Sequence, residues 1–198
     1  MAKLPPAVIL DIDETVVDNS YFQARTVRDN TSFTSEAWAA WVNEASATPI
    51  PGALAFTRQA AAAGVKVFYV TNRTAAEEAP TRANLAKHGF PVADDVDTVL
   101  TRGERPEWQA SGKGPRRAHV ARDYRILLLI GDDLGDFVVN ASGSVAERRQ
   151  RTAPNEEWWG QRWIMLPNPT YGSWERALTA GAKDPLAAKR AALVFSPR

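Results

Sequence analysis

Residues 7–15 read Ala-Val-Ile-Leu-Asp-Ile-Asp-Glu-Thr, and this stretch decides the fold. The apolar run Ala7–Leu10 follows two prolines and is typical of a strand buried inside a parallel sheet. Because side chains alternate along a strand, Asp11 and Asp13 fall on the same side of its carboxyl end. Open α/β sheets bind their ligands beyond the carboxyl ends of the strands. The stretch therefore predicts an α/β protein with a pair of carboxylates at the ligand-binding edge of its sheet.

The carboxylates of Asp11 and Asp13 repel each other unless a cation or a shared proton lies between them. An isolated Asp-x-Asp is equally typical of an Asx turn or a solvated loop. The rest of the chain must therefore decide between a structural turn and a chemical site.

Three further segments place polar residues where a chemical site needs them. Thr71 directly follows the apolar run Val65–Val70. Gly131 and Asp132 directly follow the run Arg125–Ile130. Between these runs, Lys113 stands between two glycines and before a helix-like stretch. A hydroxyl and an ammonium can bind phosphoryl oxygens. The set predicts a phosphoryl-transfer site.

The ordered set resembles the four motifs of the haloacid dehalogenase superfamily, which are Asp-x-Asp-x-Thr, a Ser/Thr, a Lys, and Gly-Asp followed by another Asp. Within it the chain resembles the class C bacterial acid phosphatases, which include outer-membrane lipoprotein 5'-nucleotidases. The matching segments are Asp11–Ser20, the Trp38 and Trp41 pair, Phe68–Arg73, Gly131–Phe137 and Met165–Trp174. The similarity runs from about Pro5 to about Leu178.

Each motif residue has a chemical role that agrees with this resemblance. Asp11 is predicted to attack phosphorus and form an aspartyl-phosphate. Asp13 is predicted to protonate the leaving alkoxide and then to deprotonate water. Thr71 is expected to donate to a phosphoryl oxygen, and Lys113 is expected to neutralise the developing charge.

The carboxylates also predict a Mg²⁺ site, because Mg²⁺ prefers hard oxygen ligands and keeps several waters. The expected ligands are Asp11, Asp132 and the backbone carbonyl of Asp13. The resemblance implies that Asp136 orients the metal waters or Lys113. Asp133 is expected to lie at a helix N-terminus, where a carboxylate is favoured.

Substrate contacts are predicted mainly from the resemblance. Trp38 and Tyr171 match the aromatic pair with which the family stacks a nucleoside base from both sides, and Asn72 and Arg73 are expected to contact the substrate. Trp38 and Trp41 are three residues apart on a predicted helix, so one of them is equally well explained as a core residue.

Alternating predicted strands and helices favour a three-layer, Rossmann-like parallel sheet with a small helical cap. Residues 1–18 and 52–198 are expected to form the α/β core, and residues 19–51 the cap beside the site. The predicted helices span 35–46, 52–63, 75–88, 115–122, 172–180 and 183–192. The predicted strands lie near 7–11, 65–70, 97–100, 125–130 and 162–166.

Composition excludes several function classes. The chain of 198 residues has a net charge of +1 and no cysteine, which excludes disulfides and thiolate metal sites. The clusters Arg116-Arg117 and 148–151 lack interleaved aromatics, so we expect solvated helix faces and no polymeric nucleic acid as ligand. Trp158, Trp159 and Trp163 are expected to serve packing or a subunit interface, and because the family dimerises a homodimer is expected.

The compartment is left open by the sequence itself. The first predicted strand begins within a few residues of Met1, without an apolar leader segment. The resemblance implies an exported, periplasmic or outer-membrane lipoprotein, and we expect this chain to correspond to that protein without its signal segment. We expect membrane attachment only through a lipid anchor, if the native protein carries one.

Together these features predict a Mg²⁺-dependent acid phosphatase for small phosphomonoesters, including nucleoside 5'-monophosphates and aryl phosphates. One alternative is a narrow metabolite phosphatase or phosphotransferase of the same superfamily. Another is a non-catalytic storage or binding protein of the same fold, as plant vegetative storage proteins are, but Asp11 and Asp13 are both present in this chain.

Overall fold

A five-stranded parallel sheet forms the centre of the computed structural model, which describes residues 4–193. In chain order its strands are β1 (Pro6–Leu10), β4 (Lys66–Thr74), β5 (Val99–Arg102), β6 (Arg125–Gly131) and β7 (Trp163–Met165). Their order across the sheet is β5-β4-β1-β6-β7. The first strand of the chain is therefore the middle strand of the sheet.

The two neighbours of β1 bring the motif residues together. Leu10 pairs with Tyr69 of β4 on one side and with Ile130 of β6 on the other. All three strands are parallel, so their carboxyl ends meet at the same edge. The polar residues that follow each strand therefore lie side by side.

Helices cover both faces of the sheet. They are α1 (Ser20–Arg28), α2 (Ser35–Asn43), α3 (Ala53–Ala62), α4 (Glu78–His88), α5 (Gly114–Asp123), α6 (Val145–Thr152), α7 (Ser173–Thr179) and α8 (Pro185–Ala192). Alternate residues of β1 belong to two separate buried clusters, Val8 and Leu10 to one, Ala7 and Ile9 to the other. This division shows that β1 is buried on both faces, and the predicted three-layer α/β fold is confirmed.

The segment between β1 and α3 carries α1, α2 and a short antiparallel pair, β2 (Val17–Asp18) with β3 (Thr48–Pro49). Its aromatic residues pack on one another, with Phe22 5.2 Å from the Trp38 ring and 6.5 Å from the Trp41 ring. The cap was predicted for residues 19–51 of this segment, and its role as a cap stays a prediction.

Two helices, α1 and α6, are absent from the predicted helix ranges, although residues 148–151 of α6 were expected on a solvated helix face. Helix α1 buries only Phe22, and α6 buries no residue. Both helices consist mostly of polar residues, so the sequence offers too little apolar surface there to indicate a helix. The predicted helix 35–46 ends earlier, at Asn43, and the strand expected near 97–100 lies at Val99–Arg102.

The late tryptophan cluster packs internally. Trp163 is buried, and its ring lies 5.1 to 5.7 Å from the rings of Trp158, Trp159 and Phe137. The rings of Phe137 and Trp159 are 5.0 Å apart. Among residues 4–193, no helix is both long and apolar enough to cross a membrane.

Candidate active site

Lys113 is the centre of the site. It stands at the N-terminus of α5, whose first turn contains Pro115. Its Nζ lies 2.5 Å from Oδ1 of Asp11 and 2.6 Å from Oδ1 of Asp136. The ammonium is buried, and although burial lowers the pKa of Lys113, the two carboxylates outweigh it and hold that pKa above its ordinary value. Lys113 is therefore a fixed positive charge beside Asp11.

Three aspartates gather around this charge. Carboxylate oxygens of Asp11, Asp132 and Asp136 all lie within 4.8 Å of one another. Burial raises the pKa of Asp11 well above its usual value, and Lys113 only partly offsets it. Burial and the charge of Asp136 raise the pKa of Asp132 to about 6. Three carboxylates against one ammonium leave an excess of negative charge, which a divalent cation fits, so this group could hold a metal ion.

The loop after β6 builds the acidic group through its backbone. Asp133 caps the short helix Leu134–Asp136, accepting from the N–H of Gly135 at 2.9 Å, while Asp136 accepts from the N–H of Asp133 at 2.9 Å. A Cβ on Gly131 would collide with the Asp136 carboxylate, so only glycine fits there. Asp133 thus lies at a helix N-terminus, and it also accepts from the N–H and hydroxyl of Ser173.

Asp13 lies outside the acidic group and is held by other partners. Arg73 contacts its Oδ1 through Nη2 at 2.7 Å and through Nε at 3.1 Å. The side-chain amide of Asn19 donates to the same oxygen at 3.0 Å. The Arg73 guanidinium is buried and also donates to the Thr81 hydroxyl. The two motif carboxylates therefore have different surroundings, Asp11 beside a lysine and Asp13 between an arginine and an amide.

Thr71 and Asn72, in the carboxyl-terminal half of β4, are anchored by Arg116. This arginine donates to the backbone carbonyl of Thr71 and, at 2.8 Å, to Oδ1 of Asn72. The expectation of a solvated Arg116-Arg117 face was wrong, because Arg116 is fully buried and Arg117 donates to the carbonyls of Gly135 and Asp136. Two adjacent arginines in a short helix are typical of a solvated face, so the sequence did not indicate that Arg116 is buried.

Glu14 is a site residue that the sequence did not single out. It adopts a left-handed backbone with φ 55°, and the hydroxyl of Tyr171 donates to its carboxylate. Burial and the adjacent Asp13 charge raise the pKa of Glu14 to about 8. Tyr171 is thereby tied to the residue next to Asp13, and it comes from the loop that follows β7.

Trp38 reaches the same region from helix α2. Its ring lies 5.7 Å from the guanidinium carbon of Arg73, which contacts Asp13, and it packs 6.1 Å from the exposed Phe33. Trp41, by contrast, is buried and donates its indole N–H to Asn19. Of the two tryptophans, Trp41 is the core residue, and Trp38 is half-buried beside the motif residues.

Comparisons with known proteins agree with this arrangement. The family model described as HAD superfamily, subfamily IIIB (acid phosphatase) matches residues 2–174. The structure of the class C acid phosphatase from Bacillus anthracis is 32% identical, with a TM-score of 0.83 over 100% of this chain and 82% of that one. The structure of that enzyme with tungstate bound is 30% identical, with a TM-score of 0.84 over 99% and 82% of the two chains.

A curated relative is the stem 28 kDa glycoprotein of Glycine max, which is 26% identical over 166 residues, or 82% of this chain. The chain spans 58% of the length of that relative. The family model covers most of the chain, and every motif residue described above lies within the match. The chain belongs to the HAD superfamily, subfamily IIIB, the acid phosphatase subfamily.

Proposed function

We propose that this protein is a metal-dependent phosphatase that hydrolyses small phosphomonoesters through an aspartyl-phosphate intermediate on Asp11. The observation that carries the proposal is the contact of Lys113 with both Asp11 and Asp136. A buried ammonium beside a carboxylate at the ligand-binding edge of a parallel sheet suits an anionic, tetrahedral phosphoryl centre. Membership of an acid phosphatase subfamily and similarity to class C acid phosphatases support it.

In the first step an oxygen of Asp11 forms a bond to phosphorus while the bond from phosphorus to the ester oxygen breaks. The ester oxygen leaves with the electron pair and takes a proton from Asp13, so it departs as an alcohol. Lys113 and the Thr71 hydroxyl donate to the phosphoryl oxygens as charge develops on them.

In the second step a water attacks the phosphorus of the aspartyl-phosphate. Asp13, now a carboxylate, takes the proton of that water, and the Asp11 carboxylate leaves as inorganic phosphate forms. The enzyme returns to its starting state, with Asp13 protonated and Asp11 free. This sequence of steps explains why two carboxylates of one motif need different partners.

We propose Mg²⁺ as the metal, held by the carboxylates of Asp11 and Asp132 and the backbone carbonyl of Asp13. When bound, such a cation neutralises phosphoryl charge. The all-oxygen donor set and the excess of negative charge around Lys113 support this choice. The side-chain amide of Asn168 donates to Oδ2 of Asp132 at 2.8 Å and would fix its orientation. Asp136 would hold Lys113 in place.

For the substrate class, we propose nucleoside 5'-monophosphates and aryl phosphates. The supporting observation is an aromatic region beside Asp13, formed by Trp38, Phe33 and Tyr171. Stacking on aromatic rings tolerates different bases. We propose that the enzyme works best at mildly acidic pH, because it belongs to an acid phosphatase subfamily and its first step delivers a proton to the leaving oxygen.

A narrow metabolite phosphatase or phosphotransferase is the second candidate, and it would use the same residues on one substrate. A panel of phosphate esters separates the two, since stacking recognition predicts turnover of nucleotides and aryl phosphates above that of sugar phosphates. A non-catalytic binding protein is disfavoured by the intact carboxylates Asp11 and Asp13.

The test of the proposed function is phosphate release from a nucleoside 5'-monophosphate and from p-nitrophenyl phosphate, with Mg²⁺ and with chelator. Asp11→Asn should abolish turnover, because an amide is not a competent nucleophile at this position. Asp95→Asn is the matched control, since the Asp95 side chain is 72% exposed and forms an ion pair with Lys66. Equal turnover by Asp11→Asn and the control would remove Asp11 from its role. Turnover that is unchanged by chelator would show that the reaction does not need a metal ion.

A further inference from the structure

We propose that Asn19 and Trp41 are positioning residues that aim the carboxylate of Asp13 at the leaving oxygen. The inference rests on the proposed function, because it assumes that Asp13 is the proton donor. Its physical basis is a chain of hydrogen bonds that runs from helix α2 to Asp13. The Trp41 indole N–H donates to Oδ1 of Asn19 at 2.8 Å, and Nδ2 of Asn19 donates to Oδ1 of Asp13 at 3.0 Å.

The indole fixes which way the Asn19 amide points. An indole N–H can only donate, so the Asn19 atom that faces Trp41 must be the oxygen. The NH₂ group is then turned toward the two carboxylates, with Nδ2 3.2 Å from Oε2 of Glu14 as well. Trp41 thus determines that Asn19 presents donors, and not an acceptor, to Asp13.

The chain of hydrogen bonds is buried and has little freedom to rearrange. Asn19 is 0% and Trp41 is 3% exposed. The backbone N–H of Asn19 donates to Oε1 of Glu14 at 2.9 Å, which fixes the residue at the start of α1. The Trp41 ring lies 5.0 Å from the Arg25 guanidinium on its other side. Buried polar networks of this kind hold a single arrangement when every member is paired.

Asn19 adds something that Arg73 alone does not supply. Arg73 contacts both carboxylate oxygens of Asp13, at 3.1 and 3.2 Å from Nε. Nη2 of Arg73 and Nδ2 of Asn19 both contact Oδ1 and not Oδ2, so with Asn19 Oδ1 accepts three hydrogen bonds and Oδ2 accepts one. An oxygen that already accepts three hydrogen bonds has little capacity left for another group, whereas Oδ2 keeps a free lone pair. The Asn19 contact therefore helps to hold Oδ1 in place and leaves Oδ2 as the oxygen available to the leaving group.

The dependence of rate on the leaving group reports this role directly. A nitrophenolate leaves without help, whereas an alkoxide must be protonated as it departs, so only the alkyl ester needs a well-aimed acid. A variant that misplaces Asp13 should lose activity mainly on alkyl phosphates. A variant that merely destabilises the protein should lose activity equally on both esters.

The experiment compares kcat/KM for p-nitrophenyl phosphate and for glycerol phosphate in the full chain with Mg²⁺. Trp41→Phe removes the indole N–H and keeps most of the packing, and Asn19→Asp replaces the donor that faces Asp13 by an acceptor. Each variant should lower kcat/KM for glycerol phosphate by about tenfold and kcat/KM for the nitrophenyl ester by less than about threefold. The tenfold loss is smaller than the 10²–10⁴ that a general acid contributes, because the variants misplace Asp13 without removing it. Trp163→Phe is the matched control, because Trp163 is also a buried tryptophan but its ring packs with Phe137, Trp158 and Trp159, and it should leave the ratio of the two rates unchanged.

Asp13→Asn, measured alongside, separates the positioning role from the proposed function. Asp13→Asn should show a strong preference for the nitrophenyl ester. If it does, but Trp41→Phe and Asn19→Asp each lower kcat/KM equally for the two esters, the positioning role is overturned while the proposed function stands. If Asp13→Asn itself has no leaving-group effect, or the wild type has no turnover, the proposed function fails and the inference fails with it. If only one of the two variants folds, its ratio decides.

Discussion

The Nζ atom of Lys113 lies 2.5 Å from Oδ1 of Asp11, and both groups are buried. A carboxylate taken out of water tends to become protonated, and a protonated carboxyl is a poor nucleophile. Lys113 opposes that tendency, since its positive charge lowers a pKa that burial raises. The lysine therefore has two tasks in the proposed reaction. It favours the ionised form of Asp11 by partly offsetting the effect of burial on the pKa of that carboxyl, and it receives the charge of the phosphoryl oxygens.

We expect Lys113→Met to lower kcat by at least about 10²-fold, because removal of one electrostatic donor from an active site costs 10²–10³. The loss should be partly recovered at higher pH, where the uncompensated Asp11 carboxyl ionises again. The measurement is the pH profile of kcat for p-nitrophenyl phosphate. Lys87→Met is the control, because Lys87 is exposed and donates to the backbone carbonyl of Ala45. A full rate at all pH values in Lys113→Met would contradict both tasks.

Glu14 predicts a pH dependence of stability in the metal-free protein. Its pKa is about 8 in the folded protein against 4.5 for an ordinary glutamate. The folded state therefore binds the proton more tightly than the unfolded state. The Glu14 contribution to stability is fully present below pH 4.5 and is lost as the pH rises toward 8.

Glu14→Gln imitates the protonated side chain at every pH. At pH 8 its free energy of unfolding should exceed that of the wild type by roughly 2–3 kcal/mol. Each unit of difference between the folded and unfolded pKa corresponds to about 1.4 kcal/mol, and the total is reduced because Glu14 is partly exposed to solvent. At pH 4 the two proteins should be equal. Urea titrations at both pH values, with chelator present, provide the comparison, and a constant difference between the proteins would show that Glu14 does not titrate in this range.

The sequence revealed the parts of this molecule that depend on short patterns. The run Ala7–Leu10 with Asp11 and Asp13 predicted the central strand and the site at its end, because a buried strand and its carboxyl-end ligands are local features. Lys113 could be placed only through its order among the motifs. Its flanking glycines alone would fit a solvated loop equally well.

The residues that the sequence missed depend on the packing of distant segments. Arg116 is buried because its guanidinium reaches the end of β4, and nothing in its sequence neighbours distinguishes it from Arg122. Asn19 and Trp41 are 22 residues apart, and their contact exists only because α2 folds back over the loop after β1. Glu14 belongs to the motif, but its partner Tyr171 lies 157 residues away. Such pairings leave no periodic signal in a single sequence.

Arg116 predicts an effect on phosphate binding. Its guanidinium anchors Thr71 and Asn72, and burial lowers the pKa of Arg116 to about 10, so it stays charged at neutral pH. Arg116→Met should leave the Thr71 carbonyl and Asn72 without their donor. We expect KM for phosphate esters and the inhibition constant of inorganic phosphate to rise about tenfold, equivalent to about 1.4 kcal/mol.

Two further variants make the Arg116 test specific. Arg116→Lys keeps the charge and one donor, so it should recover part of the affinity for inorganic phosphate. Arg149→Met removes an exposed arginine and should change neither constant. Loss of kcat with unchanged phosphate affinity in Arg116→Met would mean that the arginine supports the fold of α5 and not the phosphate site.

Trp38 predicts which part of the substrate the enzyme recognises. Its half-buried ring lies beside Arg73 and Phe33, where a flat leaving group could stack against it. Stacking is worth about 1–3 kcal/mol per base, so Trp38→Leu should raise KM for a nucleoside 5'-monophosphate by about tenfold or more. KM for glycerol phosphate should stay within about twofold, because that ester has no ring to stack. Tyr21→Ala, which removes a ring that is 59% exposed on the neighbouring helix α1, should change neither value. If Trp38→Leu raised both KM values equally, the ring would be acting through Arg73 and Asp13, and the nucleotide preference would need another explanation.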